Sequence, residues 1–414
     1  MISRSAILAL VVACLIYGYQ FYGKWSQDID MPAENHTAGY IAATQMLDDG
    51  SKVVFFKPDG QIVESPEYKP GYTDKDPVWR PDGNRLFFIS DREENAQNIF
   101  RWNIEAGRLA RRTYNSRSKN NLSFLPADAP NANKKALVIS GGFVLEFNPT
   151  TATTQQVLPP VAKERVSTDD QSGAAGQFDA VYQKLGLSFK EARWTPDERF
   201  VVAIMRREVG ETLIIQELNS TNPPIPLVAG DKVEFDIDPI TGKILFLVLN
   251  FRLLDEQNIP TEFLKDGKLV LPFRHMIAMV DTAKMSDPKT AGQATTMLIQ
   301  SKSDDIAFHR LSISPDGTMF MIVDGKLDMT KGQIEPRTLV LMPFIENAST
   351  APSPIIQDKI YEPSWSPDSN KIVFVKYNEK DQRAIWTINR DGSEMMSVSK
   401  DVGDFSFPKF SPQK

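Results

Sequence analysis

Residues 363 to 374 read PSWSPDSNKIVF, and three other stretches repeat that sentence: PVWRPDGNRLFFI at 77 to 89, ARWTPDERFVV at 192 to 202 and LSISPDGTMFM at 311 to 321. Each joins a short strand to a Pro-Asp turn and then to a strongly apolar strand. Asp82, Asp197, Asp316 and Asp368 follow the turn proline, where a carboxylate accepts backbone N–H groups and sets the turn. Degenerate copies occur at Leu122 to Pro126, Asp236 to Pro239 and Lys409 to Pro412, and in all seven an apolar residue precedes the proline by two. One Asp per unit is not a convergent oxygen cage, so the motif does not indicate calcium.

The seven prolines stand at 81, 126, 196, 239, 315, 367 and 412, with separations of 45, 70, 43, 76, 52 and 45. A unit of about 45 residues is the length of a four-stranded propeller blade. The two long intervals are that unit with insertions near 160–186 and 252–294. Third strands follow the turn at Asn98 to Asn103 and Ala384 to Asn389.

The expected fold is therefore all-β, a β-propeller. The last motif is a first strand with nothing after it, whereas Lys52 to Lys57 (KVVFFK) and Gln61 to Ser65 (QIVES) lack one. Pairing the two regions closes the ring and removes exposed edges. The expected count is seven blades, with six as the alternative. Gly39 to Met46 (GYIAATQM) is a second candidate for the first strand of the opening blade. The length of 414 residues would otherwise suggest two or three domains.

The repeat resembles the TolB-type propeller repeat, a relative of the WD-type blade, over residues 38 to 414. The resemblance does not extend to the α/β domain that precedes the propeller in TolB. It implies a propeller fold, an envelope location and partner binding at a propeller mouth. Function itself has to be argued from a site, because one fold hosts many activities.

The stretch Ser5 to Gly23 (SAILALVVACLIYGYQFYG) has no charged side chain, and about 20 such residues span a hydrocarbon core of roughly 30 Å as a helix. Residues 1–25 are thus expected to anchor the chain in a membrane, with 26–37 as linker. Arg4 before the span favours an inside N-terminus and an extracytoplasmic bulk. Two alternatives remain: a lipoprotein signal, since Val11 to Cys14 resembles a lipobox with Cys14 as the lipidated residue, and a cleaved secretory signal.

Five of the six tryptophans sit at repeat positions. Trp79, Trp194 and Trp365 precede the motif proline, Trp102 and Trp386 lie in third strands, and all five are read as packing between blades. His309 and Arg310 begin an innermost strand and are the candidates for binding in the central channel. One Cys and three His leave no basis for a Cys-ligated or shared histidine metal site, and no cofactor is expected. The net charge of −6 gives no global attraction for nucleic acid. No G-x-S-x-G, H-E-x-x-H, P-loop or dinucleotide motif occurs. The expected function is a membrane-anchored, noncatalytic interaction or scaffold subunit whose partners are the membrane and other envelope proteins. The alternatives are a channel-centred carbohydrate hydrolase or lyase and a small-ligand or glycan sensor.

Overall fold

The computed structural model describes residues 37–63, 65–93, 96–114, 117–160, 186–218, 220, 223–254, 264–265, 268–269, 271, 273–285, 294–303, 306–328, 333–345, 352–400 and 403–412. The span Ser5 to Gly23, with Cys14, and most of the first insertion lie outside them. Among the described residues no helix is long and apolar enough to cross a membrane, and the 3-10 turn Thr282–Lys284 is the one helical element.

In the four-stranded sheets the repeat folds as read. The motif strand is innermost, and the apolar strand after the turn pairs with it antiparallel, as Asp74–Trp79 does with Leu86–Ser90. The second strands Leu86–Ser90 and Ala136–Ser140 are buried at every position. A strand covered on both faces by neighbouring sheets needs a continuous apolar run. Outer strands shrink to two residues at Ile62–Val63 and Met396–Ser397, which keeps the exposed edges short.

Ring closure is direct. The strand Asp404–Phe410 pairs antiparallel with Ile41–Leu47, Ile41 facing Phe410 and Met46 facing Asp404. The first sheet is therefore ordered Asp404–Phe410, Ile41–Leu47, Gly50–Phe56, Ile62–Val63. GYIAATQM is its second strand and not its first. The indole N–H of Trp79 donates to Lys409 O at 3.2 Å, and Ser411 N donates to Tyr40 O at 2.8 Å, so neighbours on both sides hold the closing strand.

The blade count is corrected. Among the described residues five separate four-stranded sheets are present, not seven or six, together with one seven-stranded sheet and a two-stranded hairpin. The cause is the 13-residue strand Ile225–Ile237. Its first half pairs with Glu211–Glu217 and its second half with Ile244–Arg252. Gly230 lies at the crossover, where an added Cβ would stand 2.4 Å from Val248 Cγ1. Two units that the proline spacing separates are thus one continuous sheet. The sheet packs on itself, Phe200, Val202 and Leu213 meeting Val233, Phe235 and Phe246.

Part of the second expected insertion is also core. Within 252–294, the strand His275–Val280 is buried at every position and pairs with both Ile244–Arg252 and Thr295–Ser301. Neighbouring sheets pack around the rest of the ring through clusters such as Val53 and Phe55 against Trp79, Leu86 and Phe88.

Candidate functional site in the central channel

Side chains alternate along a strand. The residue two before each motif proline is apolar and turned into the core, so the residues three and five before it share the opposite face. Counting back five gives Asp76, Asn121, Glu191, Glu234, Arg310, Glu362 and Phe407; counting back three gives Val78, Ser123, Arg193, Asp236, Ser312, Ser364 and Lys409. On innermost strands that face is the channel wall. Lys409, on the closing strand, feels the charges of Arg193 and Asp236 on the seven-stranded sheet and of Arg310 and Glu362. Arg310 and Lys409 are exposed to solvent, yet burial is the main influence lowering the Lys409 pKa. Its side chain reaches water while charged groups of neighbouring sheets stand around it, as on a channel wall.

Five of the seven strands carry a strained residue at the first of these positions. Asp76, Asn121, Arg310, Glu362 and Phe407 have φ of 52°, 46°, 59°, 52° and 52°. In each case the strand register slips at or beside that residue, which marks a β-bulge that re-aims a side chain. For Arg, Glu and Phe this left-handed conformation is unfavourable and has to be held by its surroundings.

Part of what holds it is a chain of acceptors running from strand to strand. Glu234 Oε2 accepts from Arg310 N at 2.5 Å and from Leu311 N at 3.2 Å. Glu362 Oε2 accepts from Phe407 N at 2.7 Å, and Asn121 Oδ1 accepts from Ala192 N at 3.1 Å. These side chains satisfy backbone donors that a bulge removes from the ladder.

On the seven-stranded sheet the charges are tightly matched. Arg193 donates to Glu191 Oε1 through Nε at 3.0 Å and Nη2 at 2.8 Å, and its Nη1 to Asp236 Oδ1. Asp236 Oδ2 also accepts from Ser312 Oγ at 3.1 Å and from Ile313 N at 2.8 Å. Burial opposes the Arg193 charge, but Asp236 and Glu191 outweigh it and raise the pKa. Burial likewise opposes the Glu234 carboxylate, and Lys232, with His309 and Arg310, brings its pKa down to about 2.

The opposite sector is looser. Glu362 binds Arg383 Nη2 at 3.1 Å, while Arg310 Nη2 stays 3.8 Å from its other oxygen. Lys409 Nζ donates to Ser364 Oγ at 3.4 Å and has no carboxylate within ion-pair distance among the described residues. Burial raises the pKa of Asp76, the negative field of Glu362 adding to it.

The two channel candidates part company. Arg310 lines the wall. His309 is turned inward and only 8% exposed, its Nε2 has no hydrogen-bond partner, and burial lowers its pKa to about 4. Trp79, Trp194 and Trp365 are buried between sheets, and Trp365 Nε1 donates to Ser312 O at 3.3 Å. In each Pro-Asp turn the aspartate Oδ1 accepts the N–H two residues on: Asn84 N at 3.1 Å for Asp82, Arg199 N at 3.1 Å for Asp197, Thr318 N at 3.0 Å for Asp316 and Asn370 N at 3.1 Å for Asp368. No group of three or more metal-ligating side chains converges among the described residues.

Reading the motif for its apolar residue and proline passes over Arg193, Asp236, Glu362, Phe407 and Lys409. The signal that finds them is the polar residue three and five places before each proline. Away from the channel, a cavity of about 600 Å³ is lined by Met319, Leu341, Ile355, Asn370 and Arg390. Its one cation is already paired with Asp316 Oδ2 at 2.9 Å.

No family model matches the chain, and no curated protein matches it in sequence. Among solved structures, the β-propeller domain of the Trilobed protease from Pyrococcus furiosus is similar at a TM-score of 0.51 and 12% identity, over 88% of this chain and 97% of that one. An oligogalacturonate lyase from Vibrio parahaemolyticus reaches a TM-score of 0.50 at 11% identity, over 88% and 86% of the two chains. TolB from Acinetobacter baumannii gives a TM-score of 0.45 at 11% identity, over 91% and 83%. Identities this low speak to fold alone, and with the motif strands placed as blade strands the chain has a β-propeller fold.

Proposed function

We propose that the protein is a noncatalytic interaction subunit that engages a partner at its channel mouth, held at a membrane by Ser5 to Gly23 with the propeller on the extracytoplasmic side. On this reading the seven-stranded sheet serves as two fused repeat units, so that seven innermost strands line the channel. The observation that carries the proposal is the employment of the channel carboxylates. Glu234, Asp236 and Glu362 are each committed to backbone N–H groups and to cations. A general acid or base needs a carboxyl free to gain and lose a proton near the working pH, and a pKa near 2 at Glu234 is the opposite arrangement.

One observation favours a second reading. The raised pKa of Asp76 is the property a general acid needs in carbohydrate cleavage. The deciding experiment is mild detergent extraction of the tagged full chain beside a version starting at Asn35. Reproducible, stoichiometric capture of one envelope protein by both, with only the full chain in the membrane fraction, is the expected result. Failure of both to retain any partner, or turnover of an envelope oligosaccharide that Asp76→Asn abolishes, overturns it.

A further inference from the structure

We propose that Arg310 and Lys409, with Phe407 beside Lys409 on the closing strand, form an anion site in the channel that takes a single carboxylate, either the C-terminal end of an extended peptide or a small free dicarboxylate. The inference deepens the partner-binding reading and rests on it.

The argument begins from unequal pairing. Arg193 has Glu191 and Asp236, Lys232 has Glu234 at 2.7 Å and Arg383 has Glu362 at 3.1 Å. Arg310 reaches Glu362 only at 3.8 Å, and that carboxylate already serves Arg383 and Phe407 N. Among the described residues Lys409 has Ser364 alone, and because Ser364 Oγ accepts there, its own O–H is left to donate to a ligand. Both cations are open to solvent. A charged group in a confined passage without a close counter-ion gains from an anion that supplies one.

Charge and the placement of the two cations select the ligand class. Glu234, Asp236, Glu362 and Asp76 surround the two cations, so a dianionic phosphate meets more repulsion than a monoanionic carboxylate. The planar guanidinium of Arg310 matches a carboxylate fork. Arg310 and Lys409 both lean on the strand Tyr361–Trp365, through Glu362 at 3.8 Å and Ser364 at 3.4 Å, so that one small anionic group can meet both. Phe407 is 37% exposed and held at φ of 52°, a large apolar ring kept at the wall at a conformational cost.

Calorimetric titration of the full chain in detergent tests the site with four probes: N-acetyl-triglycine, its C-terminal amide, succinate and inorganic phosphate. Saturable binding of N-acetyl-triglycine identifies a chain terminus as the source, and saturable binding of succinate alone identifies a free dicarboxylate; either supports the site. The amide, Arg310→Met and Lys409→Met should each weaken binding about tenfold or more, the loss of one charge-assisted hydrogen bond, while Lys409→Arg retains it. If Arg310→Met fails to fold, the Lys409 pair still decides. Binding absent for both carboxylates, equal for acid and amide, stronger for phosphate, or unchanged in Lys409→Met overturns the proposal. Partner capture that survives in Lys409→Met removes this site and leaves the partner-binding reading standing. Carboxylate binding without any captured partner removes that reading and leaves the site.

Discussion

The seven-stranded sheet over 188–301 and the sector formed by Ala307–Ile313, Tyr361–Trp365 and Asp404–Phe410 line one channel by different means. In the former, Glu191 and Glu234 occupy the bulge position with no left-handed residue, and every channel charge has a partner at ion-pair distance. In the latter, Arg310, Glu362 and Phe407 are all left-handed, and Lys409 is unmatched. The fused sheet is a continuous hydrogen-bonded wall that satisfies itself. The separate sheets hold strained side chains at the axis and leave charge uncompensated, as sites that act on something else tend to do.

The largest expected effect tests the matched side. Asp236→Ala removes the acceptor of Arg193 Nη1, Ser312 Oγ and Ile313 N together. Breaking a fully buried pair costs roughly 3–5 kcal/mol. Because Arg193 keeps 38% side-chain exposure, the loss should fall near the lower end, about 3 kcal/mol by urea unfolding. A cost below about 1 kcal/mol, the scale of a surface pair, would mean that the network does not hold the wall together.

The seam between the two regions should respond to acid. His309 lies in the field of Glu234, Lys232 and Arg310, and burial lowers its pKa to about 4 from the 6.5 of a free imidazole. Below pH 6.5 the unfolded chain takes up a proton that the folded one refuses until about pH 4, so stability falls as pH is lowered through that window. A shift of this size corresponds to about 3 kcal/mol at its full extent, somewhat less at intermediate pH. His309→Gln should flatten this limb of the stability profile, and an unchanged profile would show that His309 charges freely in the folded protein.

A smaller effect of opposite sign belongs to the strained positions. Asp76 combines φ of 52° with a carboxyl whose charged form burial disfavours. Asp76→Gly relieves both and should raise stability by about 1 kcal/mol. The fused sheet offers no such gain: Glu234→Gly strips the acceptor from Arg310 N and Leu311 N and should lower the midpoint. Both substitutions moving it the same way would erase the distinction between the left-handed bulge positions and those of the fused sheet.

How much of this was legible in the sequence depends on range. The Pro-Asp turns and the buried second strands follow from local rules, and the motif residues around Pro367 place their strands correctly. Closure by Asp404–Phe410 could be read because both ends of the repeat were incomplete. The blade count was not legible, since whether the chain breaks or runs on through Ile225–Ile237 depends on Gly230 allowing Val248 and the Leu249 carbonyl to approach. His275–Val280 was assigned to an insertion because it follows no proline motif. Among the site residues, Arg310 is legible from its place at the start of a strand, whereas Lys409 meets Ser364 and Glu362 meets Phe407 across 45 positions of sequence, which no local pattern contains.

The three motif tryptophans give the finest test. All are buried at equivalent positions, but Trp365 Nε1 donates to Ser312 O at 3.3 Å, in the loose sector, whereas Trp194 Nε1, at the edge of the fused sheet, is buried without an acceptor. Replacing Trp by Phe removes the N–H with limited loss of ring volume. Trp365→Phe removes the indole hydrogen bond to Ser312 O and should cost about 1 kcal/mol more than the packing change itself. Trp194→Phe discards a donor that burial already penalises and should cost less by about that amount. Urea midpoints for the two variants measure the difference directly. Equal costs would mean that the indole bond to the channel strand contributes nothing, and that packing alone holds the innermost strand of the loose sector where Arg310 needs it.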